Sequence, residues 1–135
     1  MIVVLDTNVL VAGLLKPFGP SAAVVRLAVA GRIRIAHDYR ILSEYRDVLL
    51  RPAFGFDLAS VDALLVQLEE DGLAVTPPPT AERLSDPTDA PFWEAAEASR
   101  AEALITGNKR HFPLKSDETR VLSPSEFLEA FGFGG

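Results

Sequence analysis

Carboxylates stand at the ends of apolar runs in this sequence, and that is where chemistry is sought first. Asp6-Thr7-Asn8 follows the apolar run Ile2-Val3-Val4-Leu5, and Thr106-Gly107-Asn108 follows Ala103-Leu104-Ile105. If both runs are parallel neighbouring strands, Asp6 and Asn108 lie close together at one rim. A carboxylate directly after a buried strand is partly desolvated, which is costly unless something pairs with it. A metal ion would do so. So would the amino end of the next helix, with Asp6, Thr7 or Asn8 as a simple cap. Position alone leaves both readings open. The same choice arises at Asp86-Pro87-Thr88-Asp89, which opens a segment carrying Phe92 and Trp93. A negative charge in a first helical turn is favoured by the helix dipole, and that alone explains a capping Asp.

The stretch around Ser43-Glu44-Tyr45 permits a sharper comparison. Ile41, Leu42, Tyr45, Val48 and Leu49 form one apolar helical face. At about 100° per residue, Glu44 lies roughly 110° from the centre of that face, and Asp47 roughly 170° from it. A carboxylate on the flank can turn toward a site at the core's edge, whereas Asp47 points to water. Glu44 is therefore the better ligand candidate of the two, although a helix-surface Glu is most often simply solvated.

Cations gather near the last cluster. Gly107-Asn108-Lys109-Arg110-His111 sets two cations and a histidine just after a strand end. Lys109 and Arg110 are suited to hold phosphate, and Arg40, Arg46 and Arg51 are helix-surface candidates for the same work. His111 reads as structural or as a weak RNA contact rather than as a general base.

The composition narrows the chemistry. No cysteine is present, so disulfides and thiolate zinc sites are excluded, and two histidines are a thin supply for a histidine site. Any metal here is a hard one, magnesium or manganese, held by oxygen. The net charge of −6 does not suit a general nucleic-acid binder. Its distribution changes that reading. Residues 1–56 carry seven basic and four acidic side chains, and residues 57–102 carry two basic and eleven acidic ones. Most of those acids read as a solvated face. With 48% hydrophobic residues the chain is no candidate for disorder. No apolar run approaches the roughly 20 residues that span a bilayer. The start, Met1 to Asp6, lacks the basic region of a signal peptide, so a cytoplasmic location without a membrane partner is the default expectation.

The elements that must position these residues alternate. Strands are expected at residues 2–5, 33–36, 73–75, 103–106 and 120–122. Helices are expected at 9–15, 21–30, after Asp38 as cap to about 51, 57–71, 89–100, and from Pro124 with Ser123 as cap. The fourth helix shows a stripe of Leu58, Val61, Leu64, Leu65 and Leu68. Strands alternating with helices imply an α/β fold, a mostly parallel central sheet with helices on both faces in three layers. In such sheets ligands bind at the carboxyl ends of the strands. Pro77-Pro78-Pro79 is linker-like, but the 56 residues after it show no core of their own, so residues 1–135 are read as one domain with an irregular tail at 131–135.

In order, Leu5-Asp6-Thr7-Asn8-Val9-Leu10, Ser43-Glu44-Tyr45, Asp86-Pro87-Thr88-Asp89 and Thr106-Gly107-Asn108 resemble the PIN-domain ribonucleases, in particular the VapC-like toxins of bacterial toxin–antitoxin pairs. The resemblance runs from Val3 to about Phe127. It implies an acidic pocket at the carboxyl rim that binds Mg2+ or Mn2+ through Asp6, Glu44 and Asp89, with Asp86 as the second choice beside Asp89. Thr7, Asn8, Thr106 and Asn108 are the implied supporting residues. There is one departure, because many PIN domains carry a fourth aspartate where this chain has Asn108. That amide adds no charge and weakens the case for a second metal.

The resemblance implies a metal-dependent endoribonuclease that hydrolyses RNA, and a cognate antitoxin protein as partner. A homodimer is compatible with the sequence, in which no stripe specifies one. Two rivals stand beside this reading. One is a catalytically weak or inactive PIN-like module that binds RNA or protein, suggested by Asn108 and the overall acidity. The other is an aspartate-dependent phosphatase or phospho-acceptor domain, which would want a second acid next to Asp6 where Thr7 and Asn8 stand.

Overall fold

Ile2–Leu5 (β1) has no polar side chain to alternate with its apolar ones, so it needs cover on both sides. It finds that cover at the centre of a parallel sheet. Val3, Val4 and Leu5 are all fully buried, although consecutive side chains of a strand point to opposite faces. Helices therefore pack on both faces. The protein is described here by a computed structural model over residues 1–113 and 118–133.

The other strands are Arg34–His37 (β2), Leu73–Ala74 (β3), Ala103–Ile105 (β4) and Arg120–Leu122 (β5). The sheet is all-parallel, in the order β3-β2-β1-β4-β5. Six helices accompany it among the described residues: Thr7–Leu15 (α1), Pro20–Val29 (α2), Tyr39–Leu49 (α3), Leu58–Asp71 (α4), Ala90–Ser99 (α5) and Pro124–Ala130 (α6). This is the α/β architecture expected from the alternation of elements. Val3 pairs with Ala103, Val4 with Leu104 and Leu5 with Ile105. That register brings the residues just after each strand, Asp6 and Thr106, side by side at the carboxyl rim.

Local signals set most helix starts. Asp38 accepts from the amide of Ile41, Asp57 accepts from that of Ser60, and Ser123 forms a capping box with Glu126. α1 begins at Thr7, two residues earlier than its apolar pattern suggests, because Asp6 caps it. α1 packs closely on α2 through Gly13, where a Cβ would lie 2.8 Å from Val25 Cγ2. No single helix among the described residues is long and apolar enough to cross a membrane, and α1 and α2 meet at a bend of 102°.

Three details depart from expectation. Leu58, placed on the apolar stripe of α4, is exposed, since it opens the helix beyond the edge of the core. β3 stops at Ala74, although the amide of Val75 still bonds the carbonyl of His37. The tail is irregular but not free through Phe133. Phe133 stacks on the buried Phe127 and Phe131 packs against it at a tilt, while Arg120 lies over the ring of Phe131 and Arg32 over that of Phe133. Gly134 and Gly135 lie outside the described residues. Residues before and after 77–79 share one core, in which Phe92 and Trp93 of α5 pack with β1 and β2.

Candidate active site

The rim where β1 and β4 end is built around Asp6. Its amide continues the ladder to the carbonyl of Ile105 at 2.9 Å, which fixes the backbone. One carboxylate oxygen accepts from the amide of Thr7 at 2.8 Å, and the other from Thr106 Oγ1 at 2.7 Å. The hydroxyl of Thr106 accepts in turn from the amide of Asn108 at 2.9 Å. Asp6 is only 7% exposed, and no lysine or arginine among the described residues pairs with it. Burial pushes its carboxyl above the usual range, and the charge of Asp89 adds to this, while the bonds from Thr106 and Thr7 oppose it.

Below Asp6 lies Tyr45, wholly buried, whose hydroxyl donates to the carbonyl of Leu5 at 2.5 Å. Burial and the charges of Asp6 and Glu44 keep that phenol well above its ordinary pKa, so it is a neutral floor to the site. One residue earlier on α3, Glu44 turns to the rim and accepts a hydrogen bond from Thr7 Oγ1. Asp47 is exposed, as the angular argument for this helix requires.

Asp86 and Asp89 approach from the far side on the short turn Pro87–Asp89 that leads into α5. Asp86 caps the turn, accepting from the amide and the hydroxyl of Thr88 at 3.0 and 2.8 Å, and these bonds hold its carboxyl below the usual range. Asp89 differs. Partial burial raises its carboxyl and the charge of Asp86 adds to the effect, while His111 opposes it. Nδ1 of His111 lies 3.1 Å from Asp89 Oδ2. Ligand atoms of Asp86, Asp89 and His111 all lie within 4.8 Å of one another.

These groups line one cleft of about 550 Å³ with Thr7, Asn8 and Asn108. Asn8 also locks the opposite loop, since its side-chain oxygen accepts from the amide of Gly107 at 3.1 Å. Asp6, Glu44, Asp86 and Asp89, which lie far apart in the sequence, thus converge. His111 joins them, a role that its position in an exposed-looking loop did not suggest. The available signal was its place a few residues after the strand paired with β1. Oxygen donors in excess over nearby cations, with one imidazole, fit a hard divalent ion.

Three of the cations named from the sequence have other partners. Arg40 forks onto Asp38 at 2.7 and 2.9 Å and reaches Glu94 at 2.7 Å. Arg46 pairs with Asp62 at 3.1 Å. Lys109 pairs with Glu126 at 2.8 Å, and this bond, with those from Ser123, holds the Glu126 carboxyl down to about 2. None of the three lines the cleft. Arg110 is exposed, makes no ion pair among the described residues, and lines a neighbouring hollow with Thr106, Asn108 and His111.

No curated protein matches this sequence. A family model described as the PIN domain matches residues 2–110, a span that takes in β1 through the loop after β4 and all four carboxylates of the cleft. On that match over most of its length, together with the parallel sheet and its acidic rim, the chain belongs to the PIN-domain family.

Proposed function

We propose that this PIN domain is a Mg2+- or Mn2+-dependent endoribonuclease and the toxin component of a toxin–antitoxin pair. PIN domains are generally nucleases and typically use divalent metals. The observation that carries the reading is the electrostatic state of the rim. Asp6 and Asp89 are both pushed toward protonation, chiefly by burial and then by a neighbouring carboxylate, in a cleft that also holds Glu44 and Asp86.

Asp6, Glu44 and Asp89 would hold the ion, and Asp86 and His111, whose ligand atoms lie within 4.8 Å of one another and of Asp89, could add to the set. A divalent cation held there would lower the pKa of its water and offset the charge of a phosphodiester. Each side chain has its own part. Thr106 and the amide of Thr7 fix both oxygens of Asp6, so the carboxylate cannot swing away. Thr7 orients Glu44. His111 Nδ1, 3.1 Å from Asp89 Oδ2, would steady that carboxylate. In the reaction, water adds to phosphorus, the bond to the leaving ribose oxygen breaks, and that oxygen takes a proton.

The test is cleavage of labelled RNA by wild type and Asp6→Asn with manganese, with magnesium and with chelator. Metal-dependent cleavage that falls about 100-fold or more in the variant is the expected result. Equal cleavage by the two proteins would reject the assignment. One feature favours a second reading, a PIN-like module that binds RNA or protein without turnover: Asn108 stands where a fourth acid would strengthen metal binding. RNA binding unchanged by chelator, without cleavage in metal, would select it. The toxin reading expects growth arrest on expression, relieved by the product of a neighbouring gene, and harmless overexpression of an active enzyme would count against it.

A further inference from the structure

The cleft has two unlike ends. Asp6, Glu44 and Asp89 occupy one end. The other is an apolar wall made by Val11, Ala12 and Leu15 of α1, Val48 of α3, and Phe54. Both helices change character within a turn or two. Asn8 is followed on its face by Val11, Ala12 and Leu15, and Glu44 is followed one turn later by Val48. Leu15 lies seven residues beyond Asn8, about 10 Å further along the helix axis. A cation and one phosphate would not fill that length.

The wall has a fixed aromatic ring. Phe54 stacks on Phe56 at 5.8 Å with 25° between the planes. Leu15 is 47% exposed, and Phe18, on the turn after α1, is 98% exposed. Lys16 lines the same end of the cleft. Lys16 and Arg51, just before the turn that carries Phe54, make no ion pair among the described residues, unlike Arg40, Arg46 and Lys109. Aromatic rings that stack bases, beside cations that follow a backbone, are what single-stranded nucleic acid requires. A purely apolar partner would leave Lys16 unused.

We infer that this wall is a nucleobase subsite: an unpaired base next to the scissile phosphate stacks on Phe54, with its flanking phosphate at Lys16. The inference rests on the nuclease reading for the place of the scissile bond, though not for the binding itself. It makes the substrate single-stranded RNA or a loop, because a base held in a duplex must first leave its stack.

The test uses the Asp6→Asn chain and a short labelled oligouridylate, with binding followed by fluorescence anisotropy while an abasic residue is walked along the strand. At one position the abasic residue weakens binding about 5- to 100-fold. Phe54→Ala weakens binding of the intact strand by a similar factor and removes the abasic effect, while Phe54→Tyr keeps both. Lys16→Ala weakens all the strands alike and flattens their salt dependence. Binding that is absent, or blind to every abasic position, overturns the subsite, and the abasic walk decides this even if Phe54→Ala fails to fold. Blindness of RNA binding with capture of an apolar peptide would assign the wall to a protein partner instead. The two readings fail separately. A wild-type chain that shows the abasic pattern but never cleaves keeps the subsite and loses the nuclease, and one that cleaves without the pattern does the reverse.

Discussion

Asp6 and Asp38 hold the same local position. Each follows a parallel strand of the sheet, and each caps the helix that comes next. Their surroundings differ in sign. Asp38 receives two N–H groups of Arg40, which also reaches the buried Glu94. Asp6 receives only a hydroxyl and an amide, and its charged neighbours include Asp89. Capping therefore does not separate a structural acid from a functional one, since both residues cap. Counter-charge separates them. The acid with its own arginine is compensated as it stands, and the acid without one keeps an unpaired charge at the rim of the cleft.

The strongest way to break this comparison is to neutralise each acid in turn. Asp6→Asn should lower RNA cleavage about 100-fold or more, while Asp38→Asn, which can still cap α3, should leave it within a few-fold. A gel assay of both variants decides. Cleavage lost equally in the two would show that the difference in counter-charge has no functional meaning.

Metal addition sharpens the same contrast without relying on turnover. Manganese at 100-fold above its Kd should stabilise wild type and Asp38→Asn by about 2.7 kcal/mol. Asp6→Asn should gain much less at the same concentration. Thermal melts with and without the ion read this directly. Removing the arginine tests the structural half. Arg40→Ala leaves the buried Glu94 with only the amide of Thr80 as a partner. The loss should be about 1–3 kcal/mol in urea unfolding, discounted because Arg40 is 41% exposed. An unchanged midpoint would mean that the fork holds nothing.

The smallest effect is on pH. The carboxyls of Asp6 and Asp89 titrate higher folded than unfolded. Their contribution to stability is therefore fully present below the unfolded value of 3.8 and is lost as pH rises through their folded values. Glu126 acts the other way. Its contribution is present above 4.5 and lost as pH falls toward about 2. In chelator, wild type should gain on Asp6→Asn as pH drops through the range just above 3.8, and Glu126→Gln should flatten the loss below 4.5. Parallel pH curves for wild type and Asp6→Asn would contradict the burial of that charge.

Features set by nearby residues were legible in the sequence. The apolar runs of β1, β2, β4 and β5, the caps at Asp38 and Ser123, and the angular choice of Glu44 over Asp47 all depend on short spacings. What needed distant partners was not legible. Lys109 reads as a free phosphate ligand until Glu126, 17 residues away, takes it. Arg40 meets Glu94 across 54 residues, and His111 meets Asp89 across 22. Asp86 and Asp89 look alike as capping acids, and only the neighbourhoods of Thr88 and His111 tell them apart.

The bond between Thr106 and Asp6 joins residues 100 positions apart. β1 is made before β4 and gains that neighbour only when Ile105 has been added. During synthesis at about 5–20 residues per second, the acidic rim stays unassembled for roughly 5–20 s after Asp6 is made. The growing polypeptide thus carries Asp6 for seconds without the partner that orients it, and the cleft cannot close before Thr106 has been made.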